Sequence, residues 1–316
     1  AFDTATGARR WATVVGDTTR DGQRARFGGG VSVDGPIVYA ATGLGDVAAL
    51  DAATGAVRWT VRPGGPLRGA PTLAFGNVFV MAQDNQIFAL RATDGNIEWQ
   101  EAGTLAPGSV FGAAAPAAGQ ATIIAGYSSG ELNAYRYENG RALWNDALAR
   151  TSAAATVSTL SDIDADPIID RGRVYAIGQG GRMAAYELLS GQRIWEMNIG
   201  GISTPWVAGE WVFVATNDAR VFCIARTTGR IRWMARQFNS GGTHLGYRYV
   251  DSPVVAADGS ATEVQLHTSS GHSRLDDSAL ATVRRSATIR SGVRATVTPP
   301  QTRYPVDSPV SSSSRA

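Results

Sequence analysis

A β-propeller of four-stranded blades is the fold this all-β sequence predicts, on three observations. A tryptophan-marked motif returns every 38 to 51 residues along the chain. The stretches between its copies break into short β-branched and aromatic runs bounded by Gly, Asn or Asp. No amphipathic helix of three turns occurs before residue 240, so the repeating unit has strands and nothing else.

The motif is first met as Ala1-Phe2-Asp3, then Thr6-Gly7, then Trp11. It returns as Ala49-Leu50-Asp51 with Thr54-Gly55 and Trp59, and as Ala89-Leu90 with Asp94-Gly95 and Trp99. Looser copies end at Trp144, Trp195 and Trp233, and in all six the tryptophan follows the glycine by four residues. The mean spacing, about 44 residues, is the length of one four-stranded blade and too long for leucine-rich or ankyrin units.

Within one period the elements follow in order: Pro71 to Gly76, Asn77 to Met81, Gln86 to Leu90, and Asn96 to Trp99. The series Pro205 to Gly209, Trp211 to Val214, Val221 to Ile224 and Ile231 to Trp233 repeats that order. The Asp-, Asn- or Thr-Gly after the third run supplies the positive-φ residue that a tight hairpin needs. A large ring at a fixed place in the outermost strand is read as a wedge between blades, so Trp11, Trp59, Trp99, Trp144, Trp195 and Trp233 are structural.

The repeat region spans residues 1–240, as a partial first repeat and five full ones. Ala1-Phe2-Asp3 reads as the end of a third strand, which leads to the expectation of further sequence upstream. After Ser240 the character changes: the last 76 residues have no Trp or Phe, 21 Ser or Thr, and all three histidines, His244, His267 and His272. Residues 241–290 read as a degenerate closing blade or a frame-altered segment, the abrupt break favouring the second, and 291–316 as a disordered polar tail.

Composition excludes several functions. All 29 basic residues are arginine, and residues 1–240 hold 21 of them against 21 acids, which leaves no electrostatic footprint for nucleic acid. No run of 18 apolar residues occurs. One cysteine, Cys223, rules out an internal disulfide and a cysteine-based zinc site; it takes the slot that alanine fills in other copies and reads as a small buried hydrophobe. Arg68, Arg182 and Arg220 line the channel or the loop face. The stretch before Ile163 is longer than any other link between blades, and a long loop on a rigid scaffold tends to be functional.

The Ala-x-Asp-x-x-Thr-Gly-x-x-x-Trp repeat resembles the pyrroloquinoline-quinone-type propeller repeat, found in quinoprotein dehydrogenases and in the BamB lipoproteins of outer-membrane β-barrel assembly. Thr159 to Asp164, then Pro167 to Ala176 and Gly181-Arg182-Met183, are similar to the BamB segment in which a Leu-Ser-Asp loop precedes a strand pair; Thr204 to Gly209 and Asn217 to Val221 continue the likeness. The resemblance implies eight blades, a location at the periplasmic face of the outer membrane, and an anchor through a lipidated N-terminal cysteine that this sequence lacks. It also implies a non-catalytic scaffold without cofactor, docking by neighbouring loops onto the periplasmic domains of BamA, with unfolded outer-membrane proteins as a further partner. The matching positions are Leu160, Ser161, Asp162 and Asp164 in one loop, and Asn217, Asp218 and Arg220 in the next. There Leu160 is an apolar anchor and the acids orient a basic partner, although Asp162 and Asp164 read equally as caps of a turn.

Two other functions fit the repeat. A quinone-dependent dehydrogenase needs calcium ligands, an Asp base and, in many cases, a vicinal disulfide, whereas this chain has one cysteine and no histidine before His244. Asp3, Asp51 and Asp94 occupy repeat turns and none is singled out as catalytic, and no Ser-His-Asp, Cys-His or paired-carboxylate set is evident. A ligand-binding or sensory propeller is the other alternative.

Overall fold

The computed structural model of the 316-residue chain describes residues 1–16, 29–104, 114–148 and 162–236, together with the backbone of two short strands near residue 260. Its first blade consists of β1 (Gly30–Asp34), β2 (Ile37–Ala41), β3 (Val47–Asp51) and β4 (Val57–Val61), and its second of β5 (Leu67–Ala74), β6 (Asn77–Ala82), β7 (Gln86–Arg91) and β8 (Ile97–Ala102). The third is β9 (Ala117–Gly119), β10 (Thr122–Gly126), β11 (Glu131–Arg136) and β12 (Ala142–Ala147). The fourth is β13 (Ile168–Asp170), β14 (Arg173–Gly178), β15 (Arg182–Glu187) and β16 (Arg193–Met197). The fifth is β17 (Trp206–Ala208), β18 (Trp211–Ala215), β19 (Arg220–Ala225) and β20 (Ile231–Arg236). Beyond them β21 (Val254–Val255) pairs with β22 (Ala261–Glu263).

Each blade is an antiparallel meander in chain order. The first strands lie side by side, β1 against β5, β5 against β9, β9 against β13, β13 against β17 and β17 against β21, as the inner strands of a propeller do around its axis. The second and third strands are buried on both faces, because the core lies between sheets. Tyr39, Val47 and Ala49 of the first blade meet Val78, Val80, Phe88 and Leu90 of the second. Phe79, Met81 and Ile87 meet Ile123, Ala125 and Tyr135 across the next gap. This double burial explains why runs such as 78–82 are continuously apolar rather than alternating.

The repeat turn has a physical account. Asp51 Oδ1 accepts the backbone N–H groups of Ala53 and Thr54 at 3.1 Å and the Thr54 hydroxyl at 3.1 Å, and the Gly55 N–H closes the turn onto the Asp51 carbonyl at 2.8 Å. Asp3 builds the same turn between Phe2 and Arg9, which form a single bridge. The turn glycines Gly7, Gly55, Gly95, Gly140, Gly191 and Gly229 have φ between 69° and 76°, a region that glycine enters without steric cost.

The tryptophans join successive blades. Trp11, Trp59, Trp99, Trp144 and Trp195 each donate their indole N–H to a carbonyl in the next blade's repeat turn: Ala52, Ala92, Tyr137, Leu188 and Arg226, at 2.7–3.0 Å. The glycine of that next turn lies flat on the ring. A Cβ on Gly55 would come within 2.5 Å of the Trp11 ring, and one on Gly140 within 2.8 Å of Trp99. A small residue stands opposite the tryptophan in each complete blade (Ala49, Ala89, Ala134, Ala185, Cys223), and a register shift follows it every time. That bulge inserts one residue into the outer strand and re-aims the chain there.

Candidate docking face

In an antiparallel meander, the turns between second and third strands share one end of the blade with the connectors to the next blade. The repeat turns lie at the opposite end. Both loops singled out from the sequence therefore fall on the connector end.

A heavily buried charge in this region is Arg68, near the start of β5. Its side chain is 1% exposed, and the ladder shifts register between Arg68 and Thr72, with Gly69 at φ 68°. Its Nη2 donates to the Gly126 carbonyl at 2.5 Å and, more weakly, to the Ile163 carbonyl at 3.4 Å. Its Nε and Nη1 are buried without a hydrogen-bond partner. Burial pushes the guanidinium's pKa down, partly offset by Asp164, Asp162, Tyr127 and Asp166. One cation thus faces three carboxylates of residues 162–166, the connector into the fourth blade.

That connector is tied on several sides. The Gln179 N–H donates to the Asp162 carbonyl at 2.8 Å, and the Ile163 N–H to the Tyr127 carbonyl at 3.1 Å. Asp166 accepts the Ala115 N–H at 2.6 Å and donates its own N–H to the Thr204 hydroxyl at 3.2 Å. Asp162 is 1% exposed. Asp164 is partly buried, and its Oδ1 has no hydrogen-bond partner. Burial, with Asp162 adding to it, pushes the Asp164 carboxyl up to about 6 against the pull of Arg68. Burial likewise raises Asp166, against its bonds to Ala115 and Thr204.

The second loop is the turn from β18 to β19. Asn217 and Asp218 are exposed and Arg220 is half-buried. Arg220 pairs with Asp218 at 2.6 Å and lies over the Phe222 ring, 5.1 Å from its centre. Burial would raise the Asp218 carboxyl, but Arg220 and Thr216 hold it below its ordinary value. The connector before β17 links the two loops: Asn217 donates its N–H to the Gly200 carbonyl at 3.1 Å, and Thr204 bonds Asp166.

One register position on this face changes sign around the ring. Asp46, Gln86, Glu131, Arg182 and Arg220 all lead into the third strand of their blade. Asp46 holds Arg62 at 3.1 Å, and Glu131 accepts the Thr104 N–H and hydroxyl at 3.0 and 2.7 Å. Arg182 stands 3.9 Å from Glu196. The residue type at this position thus differs from blade to blade, acidic in the first and third and arginine in the fourth and fifth, with Asp46, Arg182 and Arg220 each beside an opposite charge.

Leu160 and Ser161 lie outside the described residues. Asp162 departs from the picture of an outward acid, since it is buried beside Arg68. Arg68, read from the sequence as lining the channel or the loop face, is a buried charge facing this connector. Its signal was an arginine inside the run Leu67-Arg68-Gly69-Ala70-Pro71 at the start of an otherwise apolar inner strand. Among the described residues, no group of three or more His, Cys, Asp or Glu side chains is arranged to hold a metal ion, and no helix is long and apolar enough to cross a membrane.

The family model described as outer membrane protein assembly factor BamB matches residues 1–235. A second, described as the C-terminal region of the Gram-negative bacterial TonB protein, matches residues 252–306, which covers most of the 241–290 stretch read above as degenerate or frame-altered and runs into the 291–316 stretch read as a polar tail. The chain is 28% identical to the outer membrane protein assembly factor BamB of Yersinia pestis, over 74% of this chain and 60% of that relative, so it spans about three fifths of the relative's length. The crystal structure of BamB from Moraxella catarrhalis matches with a TM-score of 0.64 and 24% identity, over 75% of this chain and 73% of that one. A quinohemoprotein alcohol dehydrogenase from Comamonas testosteroni shares the fold at a TM-score of 0.55 and 16% identity, over 66% of this chain and 42% of that one. With its first 235 residues matched as a single family unit, five blades included, this chain belongs to the BamB family.

Proposed function

We propose that this chain is a non-catalytic scaffold of the outer-membrane β-barrel assembly machinery, working at the periplasmic face of the outer membrane. It docks through its connector face onto the periplasmic domains of BamA and assists insertion of outer-membrane proteins. The observation that carries this reading is the convergence of Arg68, Asp162 and Asp164 at the connector into the fourth blade, with the turn of the exposed Asn217 and Asp218 linked to them through the neighbouring connector. Family membership supports the assembly role, and the rigid wheel behind the loops suits a docking platform.

The geometry fixes which substitutions test it. Reversing charge at Asp162 buries a second cation beside Arg68 and damages folding, so it reports nothing specific about docking. Asn217 and Asp218 are exposed and serve better. Asn217→Ala with Asp218→Arg is expected to weaken binding to isolated BamA periplasmic domains about tenfold, with a melting temperature within about 2 °C of the parent. Unchanged affinity by calorimetry overturns the assigned face.

A further inference from the structure

We propose that Asp164 is a proton-operated switch of the connector face: protonated, it leaves residues 162–166 seated on Arg68; ionised, it loosens that connector and offers a carboxylate to a cationic side chain of the partner. The proposal rests on the docking role above and adds its regulation.

The geometry is a crowded cluster: among the described residues, one guanidinium, Arg68, faces several carboxylates. Arg68 comes from β5, and its Nη2 reaches the carbonyl of Ile163, which lies between Asp162 and Asp164. Among the described residues, the charged groups facing Asp164 are Asp162 on its own segment and Arg68 from β5; Asp166 and the Tyr127 phenol face the same guanidinium. No histidine precedes His244, so no side chain of residues 1–240 has an ordinary pKa between 5 and 8. Asp164 Oδ1 is buried without a donor, so its negative charge lacks the hydrogen bonds that normally stabilise a buried carboxylate.

The sign follows. A carboxyl pushed up to about 6 binds its proton more tightly in the folded chain than in the unfolded one. Its contribution to connector stability is fully present below about pH 4 and is lost as the pH rises through about 6. Partner binding runs the other way, because a cationic group needs the ionised form. With a midpoint near 6, the ionised share falls from nearly all at pH 7.5 to about a quarter at pH 5.5, so affinity falls about fourfold.

The test uses the full chain and isolated BamA periplasmic domains. Carbon-13 NMR of the Asp164 carboxyl is expected to give a titration midpoint within about half a unit of 6; an ordinary midpoint near 4 overturns the switch. Amide exchange at Ile163 and Gln179, whose N–H groups bond Tyr127 and the Asp162 carbonyl, is expected to exceed its intrinsic base dependence above pH 6 in the parent and not in Asp164→Asn. Equal behaviour in both chains also overturns the switch. In binding, the fourfold pH effect is expected to vanish in Asp164→Asn; a pH effect that survives there refutes the assignment to Asp164. Absence of binding at every pH refutes the docking reading instead, and the titration and exchange results then decide the switch by themselves.

Discussion

The contact between Trp99 and Gly140 allows a prediction in which sequence proximity and spatial proximity disagree. Trp99 lies four residues after Gly95, yet its ring is covered by Gly140 of the following blade. A Cβ on Gly140 would come within 2.8 Å of ring atom Cε3 and 2.9 Å of Cδ2. Gly140→Ala thus carries two costs: about 1 kcal/mol for placing an L-residue at φ 70°, and about 2 kcal/mol for overpacking the indole. Trp99→Ala alone is expected to cost about 4 kcal/mol, from lost burial and the lost bond to the Tyr137 carbonyl. Once the ring is gone, Gly140→Ala has only the backbone cost left, so the double variant falls short of additivity by about 2 kcal/mol. Gly95→Ala is the internal control. Its Cβ would meet Trp59 at 2.7 Å, so combining it with Trp99→Ala is expected to be additive within about 0.5 kcal/mol. Guanidinium unfolding midpoints with unchanged slopes measure all of these. Coupling of Trp99 to Gly95 instead of Gly140 would refute the wedge.

Two further outcomes follow from single groups. Asp51 is held at about 2 by its bonds to Arg58 and to the Thr54 and Ala53 donors, so its stabilisation is present above about pH 4 and lost as the pH falls through 2. The melting-temperature deficit of Asp51→Ala is therefore expected to be full at pH 6 and to shrink steadily between pH 4 and pH 2; a constant deficit disproves the charge contribution. Burial pushes the Cys223 thiol up to about 12, against a weak pull from Arg232, so a disulfide reagent at pH 8 is expected to label the chain only when denatured, and rapid native labelling contradicts the assigned packing.

The wheel was legible because its signals are local and repeated. The Asp-x-x-Thr-Gly turn closes on itself within five residues, so its chemistry is written in adjacent letters. The partner of each tryptophan was less so. Glycine and tryptophan recur four residues apart in every copy, but the physical pair spans two blades, and periodicity alone does not say which copy supplies which half. The burial of Asp162 was not legible for a related reason. A run such as Leu-Ser-Asp-Ile-Asp looks like an exposed polar loop, and only the position of Arg68, nearly a hundred residues upstream, turns Asp162 inward.

Aligning the second to fifth blades on the proline that opens or lies within the inner strand brings out what the tryptophan alignment hides. Arg68 stands three residues before Pro71, and Asp164 three residues before Pro167, so cation and anion occupy equivalent stations of the second and fourth blades. The third blade has Ala113 at that station and the fifth has Ile202. In a ring of near-identical units, residues common to all copies can serve only what all copies do, which is to pack against a neighbour. A contact made once must come from positions where copies differ. The inner-strand stations and the sign change from Asp46 and Glu131 to Arg182 and Arg220 are such positions, and both belong to the connector end. At the opposite end, every complete blade repeats the same glycine turn against the preceding tryptophan, in geometry too uniform to distinguish one blade from another. That asymmetry between a uniform end and a varied one is the physical reason to place partner recognition on the connector face.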